Sequence, residues 1–121
     1  MEAMDYKKLF DMTGKVVVVT GGTGYLGSAN VKCLKDFGAT VAVISRRAAE
    51  ERGERQYPFE CDMFIKGNVA DPESIRDCFK QIYDKFGRID VLVLTANGGG
   101  AGHGKSNLME SMSDDDFALG V

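Results

Sequence analysis

Apolar residues along this chain fall into two patterns: short β-branched runs, and longer stretches with three-and-four spacing. Lys15 to Thr20 (KVVVVT) is apolar on both faces, which suits a strand buried in a parallel sheet, where alternation disappears. It reads as the central first strand. From Gly24 onward Leu26, Ala29, Cys33, Leu34 and Phe37 mark one helical face, and Gly38 supplies a left-handed stop. Thr40 to Ser45 (TVAVIS) is the second β-branched strand, so Val16 to Ser45 makes a strand, helix, strand unit that must cross over right-handed.

Ala48 to Arg55 is a short, charged helix candidate, followed by an irregular stretch around Pro58 and a third strand at Phe64 to Lys66. Asp71, Pro72 and Glu73 then open a helix: Asp71 caps free amides, Pro72 fits the first helical position, and Glu73 favours the positive end of the dipole. Ile75, Cys78, Phe79, Ile82, Tyr83 and Phe86 form its apolar face, and Gly87 ends it. Ile89 to Thr95 (IDVLVLT) is the fourth strand, leading into a glycine loop from Asn97 to Asn107; Ser113 with Asp114, Asp115 and Asp116 before Phe117 looks like another helix start. Strands alternating with helices predict an α/β fold with a doubly wound parallel sheet.

Composition narrows the function. The chain has 121 residues, 44% hydrophobic and 27% charged, with a formal net charge of -3. That is the profile of one domain, and it lacks the basic stripe that nucleic acid or an anionic membrane requires. Its longest apolar run is far shorter than a membrane span, and Met1 to Phe10 has no apolar signal region, so a cytoplasmic protein is expected. Cys33, Cys61 and Cys78 are widely spaced, without a CxxC or histidine pair, and read as reduced, mostly packed thiols rather than a disulfide framework or a metal site.

Glycine is over-represented, with 15 residues, nine of them clustered at Gly21 to Gly27 and at Gly98 to Gly104. The first cluster, Thr20-Gly21-Gly22-Thr23-Gly24-Tyr25-Leu26-Gly27, fits TGxxGxxG where a strand turns into a helix. Gly21 permits the sharp turn, Gly24 lets the backbone approach a pyrophosphate, and Gly27 lets the helix lie close on the sheet, with unpaired amides meeting the anion. A glycine-rich turn without a ligand is the plain alternative. With NVADPES (Asn68 to Ser74) and FGRIDVLVLTANGG (Phe86 to Gly99), the chain resembles the amino-terminal half of a short-chain dehydrogenase/reductase, from about Leu9 to Val121. The resemblance implies a Rossmann-type sheet truncated after about four strands, forming an incomplete NAD(P)-binding domain over residues 1–121. It further implies hydride transfer between NAD(P) and a small carbonyl or alcohol substrate, with homo-oligomers expected of the complete protein.

Tyr25 stands where the compact branch of this family often has glycine, although the downstream segments look more like that branch than like the extended sugar-nucleotide epimerases. A non-catalytic NADP-responsive binding protein and an extended-branch epimerase or reductase are the alternatives. The glycine-rich ending is also similar to that of sugar-acid oxidoreductases of mannonate or fructuronate type.

After the second strand an NAD site would carry an acid for the ribose hydroxyls, and this chain has Ser45, Arg46 and Arg47. Two guanidinium groups and a hydroxyl favour the extra phosphate of NADP over NAD, the alternative being two solvated arginines. Asn68 and Val69 sit where family members commonly hold the adenine, and they read equally as the turn into the Asp71 cap. Where the compact branch has NNAG, this chain has Leu94, Thr95, Ala96 and Asn97; Ala96 matches, Asn97 tolerates the left-handed turn, and Leu94 cannot replace an asparagine amide. The glycine loop beyond reads as a substrate-side lid or as a linker, and His103 within it as a solvated residue.

The family's catalytic tyrosine and lysine form YxxxK on one helix face. Residues four after Tyr6, Tyr25, Tyr57 and Tyr83 are Phe10, Ala29, Cys61 and Gly87, so no catalytic residue is assigned here. The chain alone is therefore expected to bind nucleotide without turning over substrate.

Overall fold

The computed structural model describes residues 3–53, 56–57 and 59–96. Asn97, the second glycine cluster, His103 and the expected helix near Ser113 lie outside the described residues. In chain order the elements are β1 (Val16–Thr20), α1 (Tyr25–Asp36), β2 (Thr40–Ser45), β3 (Met63–Lys66), α2 (Pro72–Phe86) and β4 (Val91–Leu94). Short 3-10 turns cover Tyr6–Phe10 and Ala49–Arg52.

The strands pair in parallel in the order β3-β2-β1-β4. In register, Val17 of β1 stands between Val41 of β2 and Val91 of β4. The expected central position of the first strand is thus observed. Side chains of β1 and β2 alternate between two cores. Val17, Val19, Val41 and Val43 pack with Val31 of α1 on one face, while Val16, Val18, Ala42 and Ile44 pack with Cys78 and Ile82 of α2 on the other. With helices on both faces the sheet is doubly wound, and its inner strands stay apolar throughout because neither face meets water. β4 is at an edge, and its Leu92 and Leu94 remain exposed.

Three expectations need correction. The face that α1 buries is Gly27, Ser28 and Val31, with Leu34 half-buried; Leu26, Ala29, Cys33 and Phe37 lie outside. The physical reason is close approach. A Cβ at Gly27 would collide with the carbonyl oxygen of Gly21 and lie 2.8 Å from Gly22 Cα, so the helix rotates its smallest residues against the strand end and leaves larger apolar ones to the surface. An apolar periodicity gives no weight to glycine and serine, which is why it selected the wrong face. On α2, Tyr83 is likewise exposed, although Cys78 and Ile82 are buried and Ile75, Phe79 and Phe86 half-buried as expected. The described part of the charged stretch from Ala48 is a 3-10 turn, Ala49–Arg52, rather than an α-helix, held by Ala48 N–H donating to Glu51 Oε2 at 2.7 Å; residues 54 and 55 lie outside the described residues. The cysteines are free and mostly packed, as expected: Cys33 is exposed, while Cys61 is half-buried and Cys78 buried, and burial pushes both of those thiols above the ordinary range.

The other helix signals are observed as read. Asp71 caps α2 by accepting from Glu73 N–H at 3.1 Å, Pro72 begins the helix, and Gly87 follows it in the left-handed conformation. The turn at Tyr6–Phe10, which the apolar pattern did not suggest, starts where Asp5 accepts from Lys7 N–H.

At the opposite end of the sheet from the glycine turn, two carboxylates tie neighbouring strands together. Asp62, preceding β3, accepts from Val41 N–H of β2 and pairs with Lys35 of α1, both at 2.7 Å. Burial opposes its ionisation, but these bonds outweigh that and leave its carboxyl below the usual range. Asp90, preceding β4, accepts from Val16 N–H of β1 at 2.8 Å and takes both Arg88 Nε and a terminal Arg88 nitrogen, at 2.9 and 2.6 Å. The Arg88 bonds first, then the Val16 amide, hold its carboxyl down to about 2.

A pKa depressed from 3.8 to about 2 means that the Asp90 bonds contribute fully above pH ~4 and are lost as the pH falls through about 2. Asp90→Asn should therefore lower the thermal midpoint by a few degrees at pH 7, with the gap to the unmutated chain closing between pH 4 and 2. A gap that persists unchanged at pH 2 would contradict this role. Gly27→Ala should cost about 1–3 kcal/mol, because the group its methyl meets is backbone. Chemical denaturation measures that loss, and a variant as stable as the original would show that α1 shifts freely.

Candidate functional site

The carboxyl ends of all four strands converge on one groove of about 460 Å³. It is lined by Gly21 after β1, Ser45, Arg46 and Arg47 at and after the end of β2, Gly67, Asn68, Val69 and Ala70 after β3, and Thr95 and Ala96 after β4. Gly24 and Tyr25 contribute from the start of α1, and Ile44 from within β2. This is where open α/β sheets bind ligands: β1 leads to β2 on one side and β4 lies on the other, so the crossovers diverge and leave a crevice.

Backbone crowding shapes the floor of the groove. Gly21 has φ +73, which disfavours any side chain, and a Cβ there would lie 2.7 Å from both Ala96 Cα and Ala96 N. Thr95 secures that contact from the β4 side, its N–H and its hydroxyl both donating to Thr20 O, at 3.1 and 2.6 Å. Gly22 is equally close-packed, with a Cβ position 2.6 Å from Val43 Cγ1. The main chain of the turn is thus brought up to the groove with no side chain between.

The two helices begin differently. α2 carries its own anion, the Asp71 carboxylate. α1 starts at Gly24 with no side-chain cap, so its first amides are left for solvent or a ligand, at the end where the helix dipole is positive. An acidic cap there would repel a phosphate, whereas a glycine leaves the position open to one. Arg46 and Arg47 are exposed at the same groove and, among the described residues, are the only charged ones that line it. Neither forms an ion pair among the described residues. The chemistry of this donor set, backbone amides and two guanidinium groups around a glycine cradle, fits a ligand bearing several phosphates, and a dinucleotide has that form.

Of the residues singled out from the sequence, Gly21, Gly24, Tyr25, Ser45, Arg46, Arg47, Asn68, Val69 and Ala96 come together at the groove. Thr23 is buried behind it, its hydroxyl 2.8 Å from Ser45 Oγ, which fixes the position of the serine at the end of β2. Gly27 is buried beneath the turn, and Leu26 is exposed and does not line the groove. Asn97 lies outside the described residues.

Asn68 forms the turn after β3 and also lines the groove. Its Oδ1 accepts from Ala70 N–H at 3.0 Å, its carbonyl accepts from Asp71 N–H, and its own N–H donates to Ser74 Oγ, which turns the chain into the α2 cap while the residue still lines the groove. Sequence reasoning missed Gly67. A Cβ there would come 2.5 Å from Cys78 Sγ and 3.0 Å from Ile44 Cγ2, so the third strand also ends in a glycine for reasons of space. The signal was present as a glycine directly after a strand. Tyr57 was also missed as a neighbour of the site: Tyr25 at the groove rim meets it edge-on, with ring centroids 5.4 Å apart.

Among the described residues no helix is long and apolar enough to cross a membrane, and no group of side chains is arranged to hold a metal ion.

Comparison with known proteins places this geometry in a family. Residues 15–119 match the short chain dehydrogenase family. The chain is similar to 15-hydroxyprostaglandin dehydrogenase [NAD(+)] of Rattus norvegicus, at 35% identity over 94 residues, covering 70% of this chain and 34% of that protein. It is also similar to the 3-oxoacyl-[acyl-carrier-protein] reductase FabG of Vibrio harveyi, at 33% identity over 107 residues, covering 88% of this chain and 42% of the reductase. Among solved structures it resembles a short-chain type dehydrogenase/reductase from Mycobacterium marinum, with a TM-score of 0.66 and 27% identity over 95% of this chain and 46% of that one. The NADPH-dependent 3-quinuclidinone reductase of Rhodotorula rubra gives a TM-score of 0.60 and 26% identity over 76% and 37% of the two chains. This chain spans between about a third and under half the length of the relatives it matches. The sugar-acid resemblance finds no support among these relatives. With a glycine turn at the carboxyl end of a parallel sheet and this match across most of its length, the chain belongs to the short-chain dehydrogenase/reductase family of oxidoreductases.

Proposed function

We propose that this chain is the cofactor-holding portion, over residues 1–121, of an NADP-preferring short-chain dehydrogenase/reductase. The complete protein would transfer hydride between the nicotinamide and a small carbonyl or alcohol substrate. The observation that carries the reading is the pair Arg46 and Arg47, the only charged residues among the described residues that line the groove. In it the diphosphate is held by the amides at the start of α1, over Gly21 and Gly24. The adenosine lies toward Asn68 and Val69, and the ribose phosphate meets Arg46, Arg47 and Ser45. Ala96 borders the groove from the β4 side, and Asn97, next in sequence, is proposed as a further cofactor contact. Bound NADP supplies the hydride carrier; this chain's residues position it and keep its phosphates neutralised.

Among the relatives, the rat protein is named for NAD(+) and the Rhodotorula enzyme for NADPH. The preference therefore rests on the chain's own residues, which offer no acid at the end of β2. These relatives are dehydrogenases and reductases, which favours hydride transfer to or from a free substrate over sugar-nucleotide epimerisation.

No YxxxK occurs in the 121 residues, so we assign the chain nucleotide binding without turnover, and assign proton transfer, substrate choice and homo-oligomer formation to the complete protein. The same absence favours a second reading, a non-catalytic module that responds to NADP. A cytoplasmic location, with neither nucleic acid nor membrane as partner, suits both.

Titration calorimetry of the 121-residue chain with NADPH and NADH tests the cofactor reading. Arg46→Ala should weaken NADPH at least about tenfold, corresponding to the loss of ~1.5 kcal/mol, the lower end for a charged hydrogen bond, and leave NADH nearly unchanged. Equal losses for both nucleotides would remove the NADP assignment. Sedimentation separates the two readings of the chain: self-association through the exposed β4 edge supports a portion of a larger sheet, and a monomer with a sharp cooperative melt supports the free-standing module.

A further inference from the structure

Thr23 belongs to the glycine turn yet does not line the groove. It is fully buried, and its hydroxyl stands 2.8 Å from Ser45 Oγ, across the junction between the turn and the end of β2. Ser45 is half-buried and does line the groove. The main chain around it is held from both neighbouring strands: its carbonyl accepts from Gly67 N–H at 3.0 Å, and the carbonyl of Ile44 before it accepts from Gly21 N–H at 2.8 Å. What remains to be set at Ser45 is the direction of its hydroxyl, and Thr23 is the side chain in contact with it.

Either hydroxyl can donate within this pair, and the ligand decides between them. A hydroxyl has one proton to give and lone pairs to receive with, whereas an ionised phosphate oxygen only accepts. Once Ser45 gives its proton to a phosphate it has none left for Thr23, so the bond between the two must run from Thr23 to Ser45. We propose that Thr23 is a positioning residue for cofactor choice: its buried hydroxyl donates to Ser45 Oγ and so leaves the Ser45 proton for the groove, where it meets the ribose phosphate that NADP carries and NAD lacks. This role rests on the reading of the groove as an NADP site. Hydrogen bonds in such a chain polarise one another, and a donor already aimed before the ligand arrives need not be ordered on binding. A ribose hydroxyl in the same place donates as well as accepts, so it is served by either sense of the Thr23–Ser45 bond and gains little from fixing one. Removing the Thr23 hydroxyl should therefore reduce discrimination between the two nucleotides more than binding as such.

The test is calorimetry of the 121-residue chain with NADPH and NADH on the unmutated protein, Thr23→Val, Thr23→Ser, Ser45→Ala, the double variant of Thr23→Val with Ser45→Ala, and Arg46→Ala. Thr23→Val keeps the shape of the side chain without its hydroxyl. It should weaken NADPH roughly three- to tenfold and leave NADH within about twofold, while Thr23→Ser, which keeps the hydroxyl, should bind NADPH as the unmutated chain does. Ser45→Ala should weaken NADPH about tenfold or more, and in that background Thr23→Val should cost nothing further, because the group through which it acts is gone. Equal losses of both nucleotides on Thr23→Val, or an undiminished loss in the Ser45→Ala background, overturn the role of Thr23. If Arg46→Ala weakens NADPH and Thr23→Val does not, that role is overturned and the NADP reading stands; binding of neither nucleotide by the unmutated chain overturns both. Should Thr23→Val fail to fold, Thr23→Ala takes its place in the same cycle with the same overturning outcomes, and a Ser45→Ala chain whose preference for NADPH is unchanged overturns the proposal by itself.

Discussion

The structure turns on a crowding of main chain where β1 gives way to α1. Gly21 O lies against Gly27, Gly21 Cα against the Ala96 backbone, and Gly22 against Val43, so three segments from distant parts of the sequence meet with no room for a Cβ among them. Close packing makes such a junction unforgiving, since a single added methyl has nowhere to go. It also explains why the inward face of α1 is small rather than apolar. The helix is set by how near it must approach the strand end, and Val31 and Leu34 reach the core only further along.

That junction also fixes the site. Because Ala96 packs against Gly21, the end of β4 is held beside the end of β1, and the crevice between the diverging crossovers acquires a wall. Because Gly24 caps α1 without a side chain, the helix presents amides rather than a carboxylate to the same space, the opposite of the arrangement at α2. Binding chemistry here follows from a packing constraint: the glycines that let the backbone come close are the ones that leave its polar groups facing outward.

The strands were legible because a run of four valines needs two covered faces, and only a central parallel strand provides them. The capped start of α2 and the residues of the groove were legible because Asp-Pro, TGxxGxxG and an acid-free strand end each carry a local mechanism. The buried face of α1 was not, since close approach is a property of two segments and glycine leaves no mark in an apolar pattern. Gly67 shows the same limit, its neighbours Ile44 and Cys78 lying far from it in sequence. The ring contact of Tyr25 with Tyr57 depends on how the segment after β2 returns, which its charged, aperiodic sequence does not encode.

Charge distribution shows why a net charge of -3 misleads about the ligand. At the amino ends of the strands Asp62 and Asp90 face Lys35 and Arg88, and the same carboxylates accept strand amides, so positive and negative groups there satisfy one another. At the carboxyl ends the charged residues lining the groove, among the described residues, are two arginines. The uncapped end of α1 adds a partial positive charge to theirs. Within about a Debye length, ~8–10 Å at ordinary salt, an approaching anion meets this local field rather than the average over the chain. An acidic protein can therefore carry guanidinium groups at its groove, and the sign a ligand meets there is set by which charges stand nearby, not by which are more numerous over the chain.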